Sequence, residues 1–346
     1  MRTPDFTNLL NVLDRKRPDR PTLFEFFLNG PLYRYLADMN EDPEDELGYA
    51  KVEIQGFYRA GYDYAVSNGL REGTLVFPRG ERARKASVSL NRGGVIVDRE
   101  SFERYPWPEV DNLDYSRFEK IVPFLPKGMK IIAHGPSGVL ENAVALVGYE
   151  TMCFMSVEDT DLLQDIFDAI GSRLLAHYER CLDFDTVGAI IGNDDWGFST
   201  QTMLPPDALK RYVFPWHRKI VEAAHNAGRP AILHSCGNLG KVMDIIIDDI
   251  QYDGKHSYED KIQPVEEAYE EYSSRIAIMG GIDVDFVCRK TPEEIYERSK
   301  RMLERSRERG SYALGSGNSI PDYVPDENYL AMISAAVPRQ SPCTAS

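Results

Sequence analysis

Cysteine is scarce in this 346-residue sequence, which has five. They are Cys153, Cys181, Cys236, Cys288 and Cys343, and no CxxC pair occurs among them. An odd number at wide spacing excludes a disulfide framework as the organising device. A run of about 18 or more apolar residues is also missing, so no membrane-spanning helix is expected. The opening stretch MRTPDFTNLLNVLDRKRPDRP is charged and has no apolar centre, so it does not read as a secretory signal. Positive charge is short as well: 40 Lys and Arg stand against 55 Asp and Glu, a formal charge of −15. Nucleic-acid binding needs a basic footprint, and this balance argues against it. No GxGxxG follows the first strand-like run, which lowers a dinucleotide reading. What remains is an expected cytoplasmic chain of enzyme size, whose 42% hydrophobic content suffices for a large core.

The sequence does have rhythm. TVGAIIGND (186–194), RPAILHSCG (229–237), YDGKHSYED (252–260), IAIMGGID (276–283) and SYALGSGN (311–318) are short and strand-like. Between them lie long amphipathic stretches such as PPDALKRYVFPWHRKIVEAAHNAG and TPEEIYERSKRMLERSRERG. Strands alternating with helices of this length indicate βαβ units around a parallel sheet. Upstream, PTLFEFFLN (21–29) reads as a first strand, GYDYAVSN (61–68) as a second, and KIIAHGPSG (130–138) as a strand and turn. About seven or eight such units predict a (β/α)8 TIM barrel in one domain over 1–346, with a doubly wound open sheet as the alternative. Residues 73–108 are rich in β-branched residues and turn signals. They are expected to form an inserted antiparallel ribbon, serving as a lid or a partner surface.

Polar residues gather where the strands should end. Asn193, Asp194, Asp195 and Trp196 follow one, His234 and Cys236 another, His256 a third, Asp283 a fourth, and Ser316 and Asn318 the last. In a barrel these ends share the face on which active sites are built. His234 and Cys236 lie two apart, so a regular strand would point both to one side, within reach of one zinc ion. The bland reading is a hydrogen-bonded histidine beside an inert thiol. Asp195 suits a base, an anchor or a ligand, and Asp194 a loop brace or substrate contact. Both Asp residues read equally as helix caps. Trp196 is either a stacking platform for substrate or core. His256 suits acid–base work or an exposed loop. Ser316 and Asn318 offer a hydroxyl and an amide to a ligand, or simply turn the chain into the last helix. Asp283 is a further candidate substrate contact.

GNDDWGFSTQTMLPPDALKRYVFPWHRKI, ILHSCGNL, IAIMGGIDVD and GSGNSIPDYVPDENYLAM together resemble the uroporphyrinogen decarboxylase superfamily, over roughly residues 5–337 and most strongly after 130. The resemblance implies a (β/α)8 barrel. Its decarboxylase branch grips an acidic porphyrinogen through arginines after the first strand; the corresponding LFEFFLNGPLYRYL keeps only Arg34, alongside Glu25. Its methyltransferase branch carries a His-x-Cys zinc pair, matched by His234 and Cys236, and a late cysteine whose place falls in Gly315-Ser316-Gly317. The third ligand is then open among Asp195, His256 and Glu25. This branch implies transfer of a methyl group between a small-molecule donor or acceptor and a cobamide, with zinc as Lewis acid and catalytic contacts at Asp195, His256 and Ser316. No DxHxxG occurs, so the cobamide is expected on a separate corrinoid protein. A homodimer is compatible with the resemblance. The alternatives are a decarboxylase of a porphyrinogen or smaller acid, and a barrel that binds a ligand or a corrinoid without chemistry.

Overall fold

The computed structural model describes residues 2–42, 44–70, 75–79 and 94–337. Seven strands run β1 (Tyr64–Ser67), β2 (Lys130–His134), β3 (Val187–Asn193), β4 (Ala231–His234), β5 (Gly254–His256), β6 (Ala277–Met279) and β7 (Tyr312–Ala313). Hydrogen bonding orders them β1 to β7, each beside its neighbour in sequence. Helices fill the intervals, the two longest described being Thr160–Leu182 and Pro292–Ser306. This is the parallel α/β order expected of a TIM-barrel-like chain. The strands are buried along almost their whole length, and most read as apolar runs, β5 with Lys255 and His256 being the exception.

Contacts divide the chain into two compact units. One comprises residues 1–66, 120–132 and 253–346; the other comprises residues 67–119 and 133–252. In the second unit β3 and β4 pair in parallel, with Asn193 opposite His234. The helix Thr160–Leu182 packs its apolar stripe of Leu163, Ile166, Phe167, Ile170 and Leu174 inward. In the first unit β5, β6 and β7 pair in parallel.

Two expectations need correction. Residues 21–29 do not form a continuous strand. They touch the β7 side through two isolated parallel bridges, Leu23 to Leu314 and Leu28 to Ile320. The ladder breaks at Glu25 because its backbone N–H donates to the Tyr64 hydroxyl instead, at 2.7 Å. The ribbon over 73–108 is also not seen in its described parts. Residues 75–79 and 94–98 carry no strand, and Arg99–Arg104 is a helix capped by Asp98 through the Ser101 N–H. The centre of that ribbon, 80–93, lies outside the described residues. Among the described residues no helix is long and apolar enough to cross a membrane.

Candidate metal centre

The site in the second unit grows from the ends of β2, β3 and β4. Asp194 leaves β3 and is wholly buried. Its carboxylate accepts the N–H groups of Leu140 (2.9 Å) and Glu141 (3.0 Å), in the first turn of the helix Val139–Val147. It therefore caps a helix more than fifty residues away in sequence, opposite the positive end of its dipole. The helix's own cap position is Gly138, which has no side chain to do this. A Cβ there would lie 2.1 Å from the Asp194 Cβ and Cγ, so glycine both needs the distant cap and makes room for it. The Asp194 carboxylate also accepts from His217 Nε2 at 3.0 Å, and His217 Nδ1 lies 2.7 Å from the Tyr252 hydroxyl. A neutral imidazole protonated on Nε2 and accepting the phenol proton on Nδ1 satisfies both contacts.

The loops after β3 and β4 are laced together. Asp194 N–H donates to the His234 carbonyl, Trp196 N–H to Ser235 Oγ, Gly197 N–H to the Cys236 carbonyl, and Cys236 N–H to Asp195 Oδ1 at 2.9 Å. Gly237 has φ +84, and a Cβ on it would fall 2.2 Å from the Gly197 carbonyl, so the two loops approach only without a side chain there. Lacing brings Asp195 beside His234 and Cys236. One ligand atom from each, a carboxylate oxygen, an imidazole nitrogen and the thiol sulfur, all lie within 4.8 Å of one another. The Cys236 Sγ stands 3.8 Å from His234 Nε2. Tetrahedral zinc with ordinary Zn–S and Zn–N lengths would separate those atoms by about 3.6 Å. The donor set fits: nitrogen, sulfur and one oxygen, with a fourth position open.

Glu141 borders this cluster. It accepts Ser137 O–H at 2.9 Å and Gly138 N–H at 3.1 Å. Burial, then the charges of Asp194 and Asp195, push its carboxyl up to about 7. At the end of β2, His134 donates Nδ1–H to the Gly135 carbonyl at 3.1 Å, and burial drives it down to about 4. Behind it His177 donates Nε2–H to the His134 carbonyl and meets the Tyr115 hydroxyl with Nδ1.

The remaining sequence candidates fall in different places. Trp196 is fully buried against Phe214 and His217, with ring centroids at 5.0 and 4.7 Å, and so occupies the core. His256, Ser316, Asn318 and Asp283 belong to the first unit. His256 is buried, not an exposed loop residue, and donates Nε2–H to the Ser316 carbonyl at 3.1 Å. Ser316 is buried against Glu25, whose Oε1 accepts its N–H and whose Oε2 lies 2.8 Å from its hydroxyl oxygen. Asp283 caps the helix Val284–Arg289 through Phe286 N–H and takes Asp260 N–H on its other oxygen. Asn318 is half-buried, its Oδ1 accepting Ser319 N–H. Arg34 is paired with Glu41 at 2.7 Å. Glu141, His217 and Tyr252 did not stand out in the sequence. The spacing of Glu141 three residues past Gly138 is a capping-box signal that points to it; nothing local marks the other two.

Comparison with known proteins follows the same lines. In fold the chain matches a methyltransferase from Methanosarcina mazei, with a TM-score of 0.70 at 19% identity, over 96% of this chain and 97% of that one. It is thus a parallel α/β protein of the same architecture. In sequence it is similar to the methylcobamide:CoM methyltransferase MtbA of Methanosarcina acetivorans, 27% identical over 172 residues. That match spans 45% of this chain and 46% of MtbA, about half the length of either. Residues 131–337 match the uroporphyrinogen decarboxylase (URO-D) model, and the chain belongs to that family of enzymes.

Proposed function

We propose that this protein is a methyltransferase that moves a methyl group between a small substrate and a corrinoid protein, at a zinc ion held by Asp195, His234 and Cys236. The observation that carries the reading is the convergence of those three donors within 4.8 Å. The similarity to two methyltransferases, one in fold and one in sequence over 46% of its length, supports it. Bound there, zinc would supply Lewis-acid polarisation of a substrate heteroatom at the open position. One thiolate and one carboxylate make a harder donor set than two thiolates, which suits an oxygen or nitrogen substrate atom.

The chain's own groups have separable tasks. Cys236 N–H holds Asp195 Oδ1, leaving the other carboxylate oxygen to the metal. Asp194 and His217 fix the β3 loop and hence the direction of Asp195. Glu141, beside Asp194 and Asp195, can take or give a proton at the substrate heteroatom as methyl arrives or leaves. The pairing of Arg34 with Glu41 counts against a decarboxylase of acidic porphyrinogens, because it engages the one arginine kept after the first strand-like run.

Metal analysis and turnover test the proposal together. Protein purified without chelator should bind one zinc per chain and transfer methyl in the presence of a corrinoid protein. Cys236→Ser and Asp195→Ala should each lose zinc at least about tenfold in affinity and lose transfer with it. Full zinc binding and turnover in Cys236→Ser would remove the reading.

A further inference from the structure

Glu25 is a fully buried carboxyl in the first unit, and among the described residues no ion pair to it is seen. Its Oε1 accepts Ser316 N–H at 2.6 Å, and its Oε2 lies 2.8 Å from Ser316 Oγ. Ser316 Oγ is at the same time in hydrogen-bond contact with the Asn318 carbonyl oxygen. A serine hydroxyl carries one proton. If Glu25 were a carboxylate, that proton would face two acceptors, and one oxygen pair would meet with no hydrogen between them. If Glu25 carries a proton on Oε2, it donates to Ser316 Oγ, and Ser316 donates onward to Asn318. The Glu25 and Ser316 oxygens and the Asn318 carbonyl are then each matched with a proton.

We infer that Glu25 is held as a neutral acid that donates to Ser316 and so latches the turn 315–318 to the segment 22–25, and that ionising it breaks this latch and loosens Asn318. The latch lies where the two segments already meet, since Phe24 N–H donates to the Leu314 carbonyl and Leu314 N–H to Thr22. Tyr64 on β1 donates its hydroxyl to the Glu25 carbonyl oxygen, and burial holds that phenol above the ordinary tyrosine range. Tyr62, whose hydroxyl meets that of Tyr329 at 2.8 Å, and Tyr312 also lie within electrostatic reach of Glu25; burial raises both in the same way. His256 donates its Nε2–H to the Ser316 carbonyl, and its ring packs against Phe24 with centroids 5.0 Å apart. The Glu25 carboxyl is pushed up to about 8 by burial, against the opposing pull of its two Ser316 bonds. Glu25 is therefore a positioning residue for the turn. This inference is independent of methyl transfer.

Thermal unfolding against pH, in wild type, Glu25→Gln and Glu25→Ala, tests it. Glutamine reproduces the neutral acid: its amide donates to Ser316 Oγ and its carbonyl accepts Ser316 N–H. Glu25→Gln should match or exceed wild-type Tm at pH 7, while Glu25→Ala falls below both. The Tm gap between Glu25→Gln and wild type should widen as pH rises from about 4.5 to about 8, then stay level. A pH-independent gap, or Glu25→Gln as unstable as Glu25→Ala at pH 7, would overturn the inference. If Glu25→Gln fails to fold, infrared spectroscopy on Glu141→Gln, which removes the other raised carboxyl, decides the matter. A protonated-carboxyl band that disappears near pH 8 supports the latch; its absence at pH 7 refutes it.

Discussion

Cys236 and Glu141 show how little a side chain's chemistry says until its neighbours are known. A thiol two residues from a histidine is ordinary; with Asp195 brought to the same point it becomes one corner of a three-donor set. Glu141 shares that environment and is raised to about 7 because Asp194 and Asp195 crowd it in a buried place. A divalent cation at the cluster would reverse that crowding and lower its pKa. Zinc added near pH 7 should therefore release more protons from the wild type than from Glu141→Gln. Titration in weak buffer measures this, and equal release from both would separate Glu141 from the metal centre. His234, Cys236 and Asp195 were all legible in the sequence as candidates. That Asp195 lies with His234 and Cys236 was not, because that convergence depends on how two loops are laced.

At the level of elements, the helix Val139–Val147 and the β3 loop are one device. The helix starts at a glycine that cannot cap it, and Asp194 supplies the missing acceptor from across the structure. Asp194→Ala would strand two helix N–H groups and His217 Nε2–H in a buried place. The expected loss is about 3 kcal/mol or more, readable as a lower denaturation midpoint in urea, with weaker zinc binding as Asp195 loses its support. Asp194→Asn keeps one acceptor oxygen and should fall between. A loss under about 0.5 kcal/mol for Asp194→Ala would mean that water replaces the cap. Strand positions were readable from apolar runs, since buried parallel strands carry no polar face. The irregular segment at 21–29 was not, because a Tyr64 hydroxyl took the N–H that a ladder would have used.

For the whole molecule, four buried groups set the pH dependence of the metal-free protein. Burial holds His134 and His177 down at about 4, so their contribution is present above the ordinary histidine value of 6.5 and is lost as pH falls toward 4. Glu25 and Glu141 are raised to about 8 and about 7, so their contribution is present below 4.5 and is lost as pH rises through those values. Between about 4.5 and 6.5 the two trends oppose one another. Stability should run nearly level there and then decline from about 6.5 to 8. Urea midpoints measured at half-unit steps check this. A midpoint still rising through pH 8 would contradict it.

The sequence by itself determined the parallel α/β order, the polar strand ends and the His-x-Cys pair, because periodicity and strand-end chemistry are local properties of the chain. It also carried the family, through motifs lying in the stretch that the family model matches. Only the tertiary structure decided that Trp196 is core, that Asp194 caps a distant helix, that Asp195 joins His234 and Cys236, and that Glu25 serves Ser316. Each of those depends on which buried donor meets which acceptor across tens or hundreds of residues. A buried polar group takes whatever partner folding places within about 3 Å, and no local pattern records that choice.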